Sequence, residues 1–326
     1  MSDQFNPVPI RIELPFLPNG GSVNVYLFRD PEPVLIDAGF QSEAAWQVLQ
    51  VGLAEQNLTV ADLTRVIITH PHVDHYGFAA RIARESQAKI WMADVGVQWL
   101  RNFPALWQQR IDYYRDHFLP ALGSPPAAQT FLRSMQQALA AWEPIPADRI
   151  VSFSVEQPLM LGGLAWQTVH LTGHDSHLTC FYQPQSRQLL SADMLMIPTA
   201  TSVAEAPPTG EPRQPTLPDF LHSLDQLAAL AVETVYPGHG APFANHRQVI
   251  GAQQMRIHER KEECWRQVAA GVETVATIFE QLYGARAAQV GMAGLWMVVG
   301  YLDLLQAEGR VTVETIRNVW HFHPVM

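Results

Sequence analysis

Residues 63–75 read Leu-Thr-Arg-Val-Ile-Ile-Thr-His-Pro-His-Val-Asp-His, and this stretch decides the fold. Leu63 to Thr69 is rich in β-branched and apolar residues, the pattern of a buried strand, and it runs directly into His70-Pro71-His72-Val73-Asp74-His75. A strand end is rigid, so the loop after it can aim several side chains at one point. Histidines at the first, third and sixth positions, with an aspartate at the fifth, put three imidazoles and a carboxylate within a few residues. That donor set suits zinc, iron or manganese. The plainer alternative is a solvated loop with incidental histidines.

Working outward, Ser22 to Phe28 and Pro33 to Asp37 read as strands. Ser42 reads as an N-cap ahead of Ala45, Trp46, Leu49 and Leu53 at helical spacing, and Ala88 to Met92 as another strand. This β-β-α-β-α-β order predicts a layered α/β sandwich. From Asp94 to Trp142, aromatic and aliphatic residues (Trp99, Phe103, Leu106, Trp107, Ile111, Tyr114, Phe118; then Phe131, Met135, Leu139, Trp142) recur at three- and four-residue steps. They predict two amphipathic helices joined by a proline turn at Gly123 to Pro126. Such helices either extend the core or form an aromatic lid over a pocket, with Trp107 and Tyr114 as its wall, and the two roles are compatible. Strands resume at Ile150 to Val155, Leu164 to Leu171, Leu178 to Gln183 and Gln188 to Ala192, the last two joined as a hairpin through Pro184-Gln185-Ser186. Pro198 to Pro218 is a proline-rich loop of a length usually reserved for function or mobility. A helix at Leu217 to Leu230 and a strand at Thr234 to Tyr236 follow. Beyond Arg247 the pattern is helical, with stripes at Val275, Ile278, Phe279 and Leu282 and at Leu295, Val298, Val299, Leu302 and Leu305. It ends in the β-rich Arg310 to Ile316, which suggests a small winged-helix-like domain.

With 326 residues, two units are expected. Hydrophobic residues at 48% against charged residues at 16% exclude general disorder. The net charge of −10 lacks the overall footprint of a nucleic-acid binder. Cys180 and Cys264 form neither a disulfide framework nor a Cys-x-x-Cys metal pair. Met1 to Pro18 shows no basic-then-apolar leader, and no apolar run approaches the roughly 18 residues of a membrane span, so a cytoplasmic protein without a membrane partner is the expectation.

Three further donors stand where β-rich runs end: His174 in Leu-Thr-Gly-His, Asp193 in Leu-Ser-Ala-Asp, and His239 in Tyr-Pro-Gly-His-Gly. Each alone reads as structural. Together with residues 70–75 they predict one convergent site.

With Asp37 in Ile-Asp-Ala-Gly, these motifs stand in an order that resembles the metallo-β-lactamase fold hydrolase superfamily over roughly residues 20–245. The C-terminal part resembles the small winged-helix domain appended to one branch of it. The resemblance implies a four-layer αββα sandwich over residues 1–246, with a helical insertion at about 94–145, and a winged-helix-like domain over 247–326. It implies two divalent ions, zinc first and iron or manganese as alternatives. His70, His72 and His174 would hold one, Asp74, His75 and His239 the other, and Asp193 would bridge them. Asp37 would be the carboxylate that orients the site. Asp74, mainly a ligand, would also be the residue able to take a proton. His177 departs from the pattern of many relatives, standing three residues after His174 rather than four. It reads either as a group near substrate or as a polar strand residue.

The activity implied is hydrolysis of a small ester, thioester or lactone by a hydroxide shared between the two ions, whose water is acidified to a pKa of about 7. The alternatives are a phosphodiesterase or ribonuclease and, behind them, a non-hydrolytic iron enzyme. Residues 253–326 carry seven Lys or Arg against eight Asp or Glu, and Val290 to Gln306 has no basic residue. Nucleic acid is therefore disfavoured as a partner, and the C-terminal unit reads as structural or as a homodimer contact.

Overall fold

The computed structural model describes residues 8–16, 21–125, 127–208 and 211–325. Pro126 of the inter-helix turn, residues 209–210 of the proline-rich loop and half of Met1 to Pro18 (residues 1–7 and 17–18) lie outside them.

Two sheets form the centre. The first contains β1 (Ile10–Pro15), β2 (Ser22–Phe28), β3 (Val34–Ile36), β4 (Arg65–Ile68), β5 (Lys89–Ala93) and β6 (Ile150–Phe153), in that spatial order. The strands β1 to β3 pair antiparallel, and β3 to β6 pair parallel through crossovers of which the first carries α1 (Glu43–Ala54) and the second α2 (Val73–Tyr76) and α3 (Ala79–Glu85). The second sheet runs β11 (Thr234–Pro237), β10 (Gln188–Ala192), β9 (Thr179–Gln183), β8 (Leu164–His170), β7 (Leu159–Leu161). Its β10 and β11 are parallel and its other pairs antiparallel.

Side-chain alternation builds the layers. Tyr26, Phe28, Val34, Ile36, Ile67, Phe181 and Leu190 face inward and meet Trp166 in a core between the sheets. Their neighbours Val25, Leu27, Leu35, Val66, Ile68, Cys180 and Leu189 face outward into the helix-facing core. Trp46 and Leu49 of α1 join the latter, as do Phe220 and Leu224 of α7 (Leu217–Ala229). Ser42 does cap α1, its hydroxyl accepting from the Ala45 N–H at 3.2 Å. Hence the αββα order.

The insertion is helical, as its periodicity predicts, but not as two simple rods. In α4 (Val97–Tyr113) the backbone leaves helical geometry at Asn102, two residues before Pro104, which cannot donate to the ladder. A π-helical turn follows at Tyr114–Phe118, then a single short turn α5 (Leu119–Ala121), and then α6 (Ala127–Ala141).

The C-terminal segment carries α8 (His246–Ala269), α9 (Val275–Tyr283), α10 (Ala287–Ala307) and the hairpin β12 (Val311–Ile316) and β13 (Val319–Pro324). Its packing is continuous with the rest. Leu295, Val298 and Leu302 belong to the same core as Leu217 and Phe220, and at Gly300 an added Cβ would meet the Leu217 side chain. Contrary to the sequence reading, residues 275–307 are long and apolar enough to pass for a membrane span by composition. The stretch is broken at Gly284 and Gly291, both with positive φ, and slightly over half of its most apolar window is buried inside the protein.

Candidate metal centre

The sheet topology brings the donors to one edge. His70 and His72 follow the end of β4, and Asp37 follows β3, which is parallel to it. Asp193 and His239 follow β10 and β11, which are also parallel, and His174 follows β8, which runs the same way as β10 because β9 is antiparallel to both. The Thr179 N–H donates to the Thr69 carbonyl at 3.0 Å and the Asn24 N–H to the Gly238 carbonyl at 2.7 Å, tying the two sheets together at this edge.

Three overlapping clusters result: His70, His72 and His174; His70, His75 and Asp193; Asp74, His75 and His239. Within each, the potential ligand atoms lie within 4.8 Å of one another. His72 Nδ1 stands 3.2 Å from His174 Nε2. Asp193 touches both halves: its Oδ2 is 3.2 Å from His239 Nε2 and 3.6 Å from His174 Nε2, and its Oδ1 is 3.4 Å from His75 Nε2. Asp74 Oδ2 is 3.4 Å from His239 Nε2.

The other nitrogen of each imidazole is turned outward to an oxygen. His75 Nδ1 donates to Asp37 Oδ2 at 2.8 Å, His174 Nδ1 to the Thr201 carbonyl at 2.7 Å, and His239 Nδ1 to the Ser22 carbonyl at 2.5 Å. His72 Nε2 lies 3.4 Å from Asp175 Oδ2. His70 is fixed through a relay. The Thr69 hydroxyl donates to Asp37 Oδ2 at 2.9 Å, so at 3.0 Å it accepts from His70 Nδ1. Asp37 therefore sets His75 directly and His70 through Thr69, and its Oδ1 also accepts the Thr69 N–H at 2.8 Å. With the outward nitrogen as the donor of each neutral ring, the inward nitrogen is the one left to present a lone pair, the state a metal ligand requires. Among the described residues, His70 Nε2, His75 Nε2 and Asp193 Oδ1 are buried without a hydrogen-bond partner. Orphaned buried polar atoms are costly, at about 1–3 kcal/mol each, and these three share one cluster. The donor set, its tautomers and its orphaned atoms all fit divalent cations.

Electrostatics divide the site. Burial, with the neighbouring His75 and His72 charges, holds His70 well below the usual imidazole range. Burial and the His72 charge lower His174 to about 4. Around the other half, burial opposes charge but the carboxylates prevail: Asp193, Asp37 and Asp74 push His75 well up, and Asp193 with Asp74 pushes His239 up to about 11. Burial likewise opposes the charged form of Asp74, yet His75 and His239 bring it down to about 2.

Two glycines shape the centre. At Gly238 a Cβ would collide with Asp193 Oδ1 and crowd His75. At Gly173, whose φ is +108°, it would run into the backbone of Phe220, so α7 packs directly under the turn that carries His174.

His177, left open between two roles by the sequence, stands outside the clusters. Its Nδ1 is 3.0 Å from Asp175 Oδ1 and its ring meets Trp99 edge-on at 6.0 Å. Sequence reasoning missed Asp175. This fully buried carboxylate also faces Arg110 at 3.7 Å, and Arg110 in turn lies over the Trp99 ring at 4.5 Å. It missed Thr69 and Glu205 as well; the latter accepts the Ser176 N–H from within the proline-rich loop. The one available signal was position, since Asp175 directly follows His174 and Thr69 directly precedes His70. The expectation that Trp107 and Tyr114 form one wall is corrected. Trp107 lines a cavity beside the centre, whereas Tyr114 is buried elsewhere, its hydroxyl donating to the Ala204 carbonyl.

Residues 18–239 match the family described as the metallo-beta-lactamase superfamily. The chain is 28% identical to a Bacillus subtilis protein named probable metallo-hydrolase YqjP, over 97% of both chains. It is 26% identical to the atrochrysone carboxyl ACP thioesterase of Aspergillus fumigatus, over 82% of this chain and 70% of that one. Among solved structures, a metallo-beta-lactamase family protein of Thermus thermophilus superposes with a TM-score of 0.80 at 22% identity, covering 97% of this chain and 98% of its own.

Proposed function

The chain belongs to the metallo-beta-lactamase superfamily and is a metal-dependent hydrolase, and we propose that it holds two divalent ions, zinc first, and cleaves a small ester or thioester with an apolar arm. The observation that carries this reading is the set of five imidazoles whose outward nitrogens all meet oxygens while their inward nitrogens gather, with Asp74 and Asp193, into three overlapping clusters. In the proposed assignment His70, His72 and His174 hold one ion, and Asp74, His75 and His239 the other. Asp193 reaches both because its Oδ2 lies near His174 and His239 alike. Such ions supply Lewis acidity toward a carbonyl oxygen and a water acidic enough to ionise near neutral pH.

The protein's own groups do the rest. Asp37 and Thr69 keep His75 and His70 in one tautomer, and Asp175 does the same for His72. Asp74 and Asp193 add negative charge that offsets the cations, and Asp74 is placed to hold a proton in passing. Similarity to a relative named as a thioesterase supports the thioester within this class. The shortage of basic residues in the C-terminal segment weighs against RNA.

The direct test is an assay of the zinc-loaded protein against acyl thioesters, aryl esters, lactones and a phosphodiester. Thioester or ester turnover well above that of the phosphodiester is expected. Turnover of the phosphodiester alone would replace this reading with the phosphodiesterase one.

A further inference from the structure

Beside the ligand-bearing loop the fold leaves a cavity of about 440 Å³, within the range of small-molecule sites. One wall is built by neighbours of the proposed ligands. Val73 lies between His72 and Asp74, Tyr76 follows His75, and the Phe16 ring, edge-on to Phe40 at 5.2 Å, is 6.2 Å from the ring of His239. The facing wall is the insertion: Trp107, Met135, Ala138 and Trp142.

That wall is stiff. The Trp107 indole N–H donates to the Met135 carbonyl at 2.8 Å. Phe103 stacks on Trp107 at 5.1 Å and on Trp142 at 5.7 Å. A cavity braced in this way does not close by side-chain collapse, which separates it from an ordinary packing defect. Among the described residues Glu143 is the one charged group in the lining, and the exposed Gln41 and Gln137 make a polar rim. None of those lining residues is basic, so none can receive a phosphate or carboxylate as a cation would. An uncharged, apolar occupant is what this chemistry accepts.

We infer that this cavity takes the apolar acyl arm of the substrate, so that Ala138, Met135 and Trp142 of the insertion set acyl-chain specificity. The inference rests on the hydrolase reading only for the identity of the occupant as an acyl group. The scissile carbonyl must reach the metal ligands, and the cavity is lined by Val73 and Tyr76, the residues flanking Asp74 and His75 in the chain. In a thioester the opposite arm is a polar thiol carrier, better served by solvent than by this lining. Selectivity then grows with chain length, because each buried methylene is worth a factor of about four.

The test uses neutral probes that need no turnover. Calorimetric titration of the chelator-treated and of the zinc-loaded protein with 1-octanol and 1-butanol should show octanol bound at least roughly tenfold more tightly in both. Ala138→Phe should cut octanol binding by roughly tenfold or more. Ala141→Phe, at the exposed end of the same helical face, should weaken it if the first variant fails to fold. In the zinc-loaded enzyme the ratio of kcat/KM for octanoyl over acetyl thioester should fall in the same variants. Equal binding of the two alcohols, or octanol binding untouched by both substitutions, would overturn the inference. Selective octanol binding without any ester or thioester turnover would instead overturn the proposed function and leave the cavity's apolar specificity standing.

Discussion

Asp193→Ala is expected to lose metal and activity together. The carboxylate lies within 3.2 Å of His239 Nε2, 3.4 Å of His75 Nε2 and 3.6 Å of His174 Nε2, so its removal strips both halves of the site at once. It also leaves the raised His75 and His239 without their strongest anionic partner. Metal-ion catalysis is worth several kcal/mol, so turnover should fall by roughly a thousandfold or more. Bound metal, measured by elemental analysis, should drop below two per chain. His177→Ala is the control: its ring contacts Asp175 and Trp99 rather than the facing atoms, so both metals should remain. Two metals and full turnover in the Asp193→Ala protein would refute the shared role.

Asp37→Asn should be the most damaging change among residues that would touch no metal. Asp37 sits at φ 61°, a conformation that asparagine tolerates, so the substitution alters hydrogen bonding and charge with little backbone strain. As a carboxylate it accepts three hydrogen bonds, from the Thr69 N–H, the Thr69 hydroxyl and His75 Nδ1. An amide must turn its NH2 toward at least one of these donors. Placed at Oδ2, the NH2 removes the acceptor of both His75 Nδ1 and the Thr69 hydroxyl; placed at Oδ1, it opposes the Thr69 N–H and displaces the residue that relays to His70, so the metal affinity of the folded protein should fall about 10–100-fold. Thr69→Val, which cuts only the His70 branch, should cost less. Competition with a chromophoric chelator measures both, and a wild-type affinity in Asp37→Asn would show that the relay does not set the ligands.

How much of this was readable beforehand depends on where the information resides. The seven donors were legible because each stands at the end of a β-rich run, and strands in register deliver such ends to one edge. The outer oxygens were not. The Ser22 and Thr201 carbonyls have no side-chain signature, and the place of Asp175 behind His72 exists only once the rings are oriented. The strand β1 was hidden because Pro9 and Pro15 bound a short run that pairs on one side alone, with β2. In the insertion, helical periodicity located the helices but not their facing. Trp107 and Tyr114, seven residues apart, stand about 10 Å apart along the helix axis, so of the two Trp107 lines the cavity and Tyr114 lies beyond it.

The proposed working state is one two-metal hydrolytic centre built from seven side chains. It is tested most directly by titrating the chelator-stripped protein with zinc while following bound metal and thioester hydrolysis in the same samples. Two tight equivalents are expected, with hydrolysis absent in the stripped protein and rising as they fill. Hydrolysis that persists in the stripped protein, or a failure to bind more than one equivalent, would contradict it.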